Sequence, residues 1–99
     1  MAKPNNRMRP GHPGEILREE FLKPLGLSVN ALAGELRVPT TRMHEIVNER
    51  RGITVDTAVR LARYFDTSPE VWLNLQTAYD LKTLPTLGEI ESRVTPRTA

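Results

Sequence analysis

The sequence predicts an all-α domain of five helices, and three observations carry that expectation. No segment alternates polar and apolar residues with the period of two that a half-buried strand needs. Apolar side chains instead recur three and four residues apart in successive stretches. Each stretch opens on a capping residue or a proline and closes on a proline or a polar cluster, the signals that start and stop helices. A chain of 99 residues, 38% apolar and 26% charged, suits one compact domain with loose ends.

Residues 1–12 carry Lys3, Arg7 and Arg9 with two prolines and no acid, and read as a flexible basic arm. The domain proper is expected over 13–85. Its first helix opens at Pro13-Gly14-Glu15, places Leu17, Phe21 and Leu25 four apart, and stops near Pro24. Ser28 caps a short second helix with Val29, Leu32, Ala33 and Leu36 on one face. Arg37-Val38-Pro39-Thr40 is a tight break, because proline disfavours helix in the residue before it yet suits a first turn itself. The third helix buries Met43, Ile46 and Val47 and ends at Asn48. Thr54 caps the fourth, in which Val55, Ala58, Val59, Leu61, Ala62 and Phe65 face inward while Asp56, Arg60 and Arg63 stay wet. Ser68-Pro69-Glu70 starts the fifth, which runs to about Leu84 before Pro85. Residues 86–99 read as a polar tail.

Two short helices joined by a three- or four-residue break, with the small Ala33 on the inner face of the first, meet the requirements of a helix-turn-helix. With Met43, Ile46 and Val47 turned to the core, Thr41, His44, Glu45 and Asn48 point away from it and Thr40 and Arg42 lie at the flanks. In a major groove, Arg42 suits guanine O6 and N7, Asn48 an adenine edge or a phosphate, Glu45 a cytosine N4, and the threonine methyls a thymine methyl. The net charge is only +2, so a nucleic-acid reading depends on distribution. Arg37, Arg42, Arg50, Arg51, Arg60 and Arg63 face only Glu45, Glu49 and Asp56 over residues 37–63, a local excess of +3. Ser28, Asn30, Arg37, Arg50 and Arg51 complete the expected DNA-binding set.

His12-Pro13-Gly14-Glu15-Ile16-Leu17, Val38-Pro39, Glu45-Ile46-Val47-Asn48, Arg51-Gly52-Ile53-Thr54 and Ser68-Pro69 to Trp72-Leu73-Asn74-Leu75-Gln76 together resemble the HigA antitoxins, within the Xre/Cro-like (lambda-repressor-like) helix-turn-helix group. The resemblance covers about residues 8–82. It implies a cytoplasmic homodimer that neutralises a HigB-type, RelE-like ribonuclease toxin and represses its own operon by binding double-stranded operator DNA. Arg37 and Glu49 stand where that group commonly has glycine, and Val29 where it often has a phosphate-binding glutamine. Ser28 and the backbone amides at the start of the second helix could hold that phosphate instead.

Other chemistry is set aside. His44-Glu45-Ile46-Val47 is the first half of the zinc-peptidase H-E-x-x-H pattern, but Asn48 stands where the second histidine is needed. The chain has no cysteine, and no glycine-rich phosphate loop is present. Glu19 and Glu20 are adjacent and diverge on a helix. His12 is expected to cap or precede the first helix and not to titrate for catalysis. No enzyme, cofactor or metal is therefore expected, and no export signal or membrane-spanning run is visible.

On the fifth helix, Trp72 with Val71, Leu75, Ala78 and Tyr79 reads as core. Leu73, Leu81 and Leu84, with Thr77 between, form a second apolar line. A helix apolar on two sides needs two partners, which points to a homodimer seam, or to a tail that folds back over the leucines. Two alternatives remain open at this stage: a stand-alone Xre-type repressor without a toxin, and a protein-interaction module that no longer binds DNA.

Overall fold

His12 begins the fold in the computed structural model, which describes residues 11–98. Its backbone is extended and its Nδ1 accepts the Gly14 N–H at 2.9 Å, so it is the N-cap that the sequence suggested. The first helix, α1, spans 13–25 in three stretches: α-helical Pro13–Ile16, π-helical Leu17–Leu22, and a last α-helical turn, Lys23–Leu25. In the π stretch the Lys23 N–H reaches back five residues to the Arg18 carbonyl. This wider winding carries the chain through Pro24, whose ring would meet the carbonyl four residues back in a regular helix. The helix closes at Gly26 (φ 62°), where Gly26 N–H bonds the Lys23 carbonyl and Leu27 N–H the Leu22 carbonyl.

The helices that follow are α2 (Val29–Leu36), α3 (Thr40–Val47), α4 (Val55–Phe65), α5 (Pro69–Thr83) and α6 (Leu87–Arg93). Ser28, Thr54 and Ser68 each accept the N–H three residues on, as local capping requires. Pro39 opens α3 without a side-chain cap, since it has no acceptor to offer. Arg37 (φ 60°) and Glu49 (φ 64°) adopt the left-handed conformation in spite of their side chains, and Asp66 (φ 58°) closes α4 in the same way. Behind each, paired N–H groups turn back onto the last carbonyls: Val38 to Ala33 and Arg50 to Glu45 are the outer bonds after α2 and α3.

The core draws on every helix from α1 to α5: Leu17, Leu32, Met43, Ile46, Leu61 and Trp72 are fully buried. Phe21 stacks at a tilt on Phe65 and on Trp72, with ring centroids 4.8 and 5.1 Å apart. The indole N–H of Trp72 donates to Thr67 Oγ1 at 2.9 Å, so burial of the ring leaves its one polar group paired.

Three expectations need correction. There are six helices among the described residues and not five, because 87–93 of the expected tail is helical, although none of its residues is buried. Val55 (64% exposed) and Val59 (49%) lie outside the core. The buried arc of α4 is set by Thr57, Ala58, Leu61 and Ala62, which turns Val59 roughly 130° away at 100° per residue. For the same reason Val71 and Ala78 of α5 are exposed, since its inner face centres on Trp72, Gln76 and Tyr79. Of the arm expected over 1–12, residues 1–10 lie outside the described residues, and His12 belongs to the fold as the buried cap of α1. Among the described residues no helix is long and apolar enough to cross a membrane.

Candidate nucleic-acid interface

Helices α2 and α3 cross over Leu32, Ala33, Met43 and Ile46, all buried, and this fixes which side of α3 faces out. Thr40, Thr41, His44 and Asn48 are exposed along that side, and Arg50 and Arg51 are exposed in the loop that follows. His44 Nε2 lies 2.8 Å from Asn30 Oδ1, so a residue of α2 orients the imidazole on α3. Ser28 stands at the start of α2, its Oγ turned to the Ala31 N–H, and exposed Arg37 at its end.

Two candidates behave differently from expectation. The Arg42 guanidinium, expected at a flank of the exposed row, pairs with Asp56 of α4 at 2.8 Å. Asp56 also takes Arg60 at 2.9 Å, and Arg60 first, then Arg42, holds its carboxyl below the usual carboxylate range. Glu45, expected to point straight outward, is half-buried and bridges to Arg51 at 2.8 Å. Arg42, Arg51 and Arg60 thereby line one cleft of about 260 Å³ with Asp56 at the start of α4. Three guanidiniums against the two carboxylates of Asp56 and Glu45 leave an excess of one positive charge next to the exposed row.

The frame holding α3 is not legible in the sequence residue by residue. Arg18 of α1 donates through Nη1 to the Val47 carbonyl at 2.6 Å and through Nη2 to Glu49 at 3.2 Å, so a cation sits on the C-terminus of α3 and on the left-handed residue behind it. Arg60, expected to be merely wet, donates to the Leu36 carbonyl at 2.8 Å and so closes α2. Gly14 lets the start of α1 lie against α3: a Cβ there would collide with the Ile46 carbonyl oxygen. His12 is buried edge-on against Tyr79 of α5, with centroids 4.9 Å apart, and this desolvation lowers its pKa. Only the pairing of Asp56 with Arg60, four apart on one helix, carries a sequence signal.

On α5, Leu73 is half-buried against the domain's own core, whereas Thr77, Leu81 (57% exposed) and Leu84 (40%) are open. The expected apolar line is thus divided, and its free part lies toward the C-terminal end. Helix α6, with Leu87, Ile90 and Val94 exposed, leaves those leucines open.

The helix-turn-helix family pattern matches residues 18–72 of the chain. Virulence-associated protein I of Dichelobacter nodosus is 64% identical over 77 residues, spanning 78% of this chain and 71% of that protein. An addiction-module antidote protein of the HigA family from Coxiella burnetii has a solved structure that superposes with a TM-score of 0.84 at 52% identity, covering 91% of this chain and all of that one. The Pseudomonas aeruginosa antitoxin HigA, solved with the higBA promoter, gives 0.86 at 48% identity over 91% of this chain and all of its own.

Proposed function

Because this chain belongs to the HigA antitoxins of the Xre-like helix-turn-helix family, we propose that it represses its own operon and silences a HigB-like, RelE-type ribonuclease toxin by binding it. Its relatives include transcriptional regulators and antitoxins, and it is not an enzyme. The observation that carries the DNA half is the row Thr40, Thr41, His44 and Asn48 on α3, flanked by Arg50 and Arg51 and braced from behind by Arg18.

In this reading Thr41, His44 and Asn48 meet base edges in the major groove, while Ser28, Asn30, Arg37, Arg50 and Arg51 hold the phosphate backbone. Arg42 and Glu45, engaged with Asp56 and Arg51, act first in shaping the surface and reach a base only by exchanging those partners. The protein works as a cytoplasmic homodimer whose seam uses Leu81 and Leu84, continued by Thr77, on a palindrome with half-sites about one helical turn apart. The toxin is the enzyme of the pair.

Footprinting and titration on DNA upstream of the gene test the first activity. Protection of both half-sites supports the reading, and binding indifferent to sequence refutes it. Growth rescue on co-expression with an adjacent toxin gene tests the second and separates an antitoxin from a stand-alone repressor. A module that has lost DNA binding would rescue without repressing.

A further inference from the structure

The loop between α3 and α4, which carries Arg50 and Arg51, is held in place from α5. The Ile53 N–H donates to Gln76 Oε1 at 2.7 Å, and Gln76 Nε2 donates to Asp80 Oδ1 at 2.9 Å one turn further along. Those two bonds fix the amide's orientation, since only one way round gives both a donor and an acceptor their partners. Ile53 is buried, so its N–H has no ready substitute in water. Gly52 makes the approach possible: a Cβ there would stand 3.0 Å from the end of the Gln76 side chain. On the other side Gln76 adjoins Thr77, at the edge of the exposed part of α5.

We infer that Gln76 is a positioning residue for operator binding. It sets where the Arg50 and Arg51 guanidiniums stand by fixing the backbone at Ile53, without touching DNA itself. A loop closed only at its two helix ends would sample many placements, and each phosphate contact would then carry the entropy of ordering it. The amide removes that freedom in advance. It also makes α5, the helix proposed to meet the second subunit, the one that holds the phosphate-binding loop. The inference rests on the reading of Arg50 and Arg51 as phosphate contacts.

The test is Gln76→Leu, which keeps most of the side chain's bulk and removes its acceptor, beside Gln76→Glu combined with Asp80→Asn. The double variant restores the pattern with roles exchanged: the amide introduced at position 80 donates to the carboxylate introduced at position 76, which still accepts from Ile53. Operator titrations over a range of salt should show Gln76→Leu binding roughly tenfold more weakly, with the salt slope shallower by about 0.9 for each phosphate that is no longer neutralised. Base preference and sedimentation as a dimer should be unchanged. The double variant should return affinity and slope to the native values, which a drop in folding stability alone would not explain. Should Gln76→Leu not fold, Gln76→Ala carries the test, because it removes the acceptor for the Ile53 N–H without adding a branched side chain and should flatten the slope likewise.

A native slope in every folded variant, or an affinity decrease that merely follows the unfolded fraction, overturns the inference. Arg50→Ala with Arg51→Ala separates the two levels. If that pair leaves the slope unchanged, the phosphate reading falls; if it flattens the slope and Gln76→Leu does not, only the role of Gln76 falls.

Discussion

Replacing Arg37 by glycine should stabilise the domain while weakening its hold on DNA. Arg37 closes α2 with φ 60°, a conformation that costs an L-residue about 1–2 kcal/mol through contact of its Cβ with the following carbonyl. Glycine removes that cost and returns about 0.5–1 kcal/mol of it as extra chain entropy in the unfolded state. The fold keeps its other interactions: the Arg37 side chain is exposed, and its carbonyl, which receives Arg60 at 3.5 Å, survives the change. The net gain is about 0.5–1 kcal/mol, and 1 kcal/mol corresponds to about 4–8 °C in Tm for a domain of this size. Glu49→Gly relieves the same strain but breaks the exposed ion pair to Arg18, worth about 0–1 kcal/mol, so its gain should be smaller. Circular dichroism melts of the three proteins at one fixed concentration decide the matter, since a dimer's Tm depends on concentration. If Arg37→Gly melts at or below the native temperature, the strain argument is wrong. In operator titrations the same variant should lose about 0.9 from the salt slope, the share of a single neutralised phosphate.

Thr41→Ala should relax base preference at one position of each half-site, read from binding to a panel of singly altered operators, at a cost of about 1 kcal/mol. Gly14→Ala should destabilise by about 3 kcal/mol or more, because its methyl meets a backbone oxygen that cannot move without displacing α3; chemical denaturation measures it. Burial lowers the His12 pKa, so the neutral ring is the folded form and its contribution is complete above the ordinary imidazole value of about 6.5 and lost as pH falls through the folded value. Tm should therefore drop on acidification below that point, and His12→Asn, which keeps a capping acceptor, should drop less over the same window. Leu81→Asp with Leu84→Asp should yield a folded monomer in sedimentation with much weaker operator binding, since one half-site is then engaged alone. A dimer that persists would move the seam elsewhere.

What is legible in the chain alone is what acts over a few residues. The caps at Ser28, Thr54 and Ser68 and the stripe of Met43, Ile46 and Val47 satisfy rules that span one turn, and the structure has them where the spacing puts them. Arg18 on Val47, Arg60 on Leu36 and Gln76 on Ile53 act across 29, 24 and 23 residues, and nothing in local periodicity marks them. Periodicity misplaces Val55, Val59, Val71 and Ala78 for a related reason: an apolar residue at helical spacing faces inward only where a neighbouring helix arrives to cover it. Helix α6 is hard to see in the sequence because Gly88 and its polar content mask a pattern only about two turns long.

The π-helical turn of α1 makes that segment sensitive to a kind of mutation that substitution scans miss. Leu17 and Leu22 are both buried although five residues apart, a spacing that only the wider winding reconciles, and Leu25, at the expected four-residue repeat, is turned out to solvent. Glu19 and Glu20 within it are exposed, so exchanging either for another polar residue should cost little. Deleting either would let the helix rewind to the regular pitch, in which four residues turn through about the angle that five cover now, so Leu17 and Leu22 would keep their side, but the Pro24 ring would then meet the carbonyl four residues back. His12 and Gly14 would keep the sides that face Tyr79 and Ile46, while the last turn would be displaced at Pro24, so the same two positions should prove permissive in identity and strict in number.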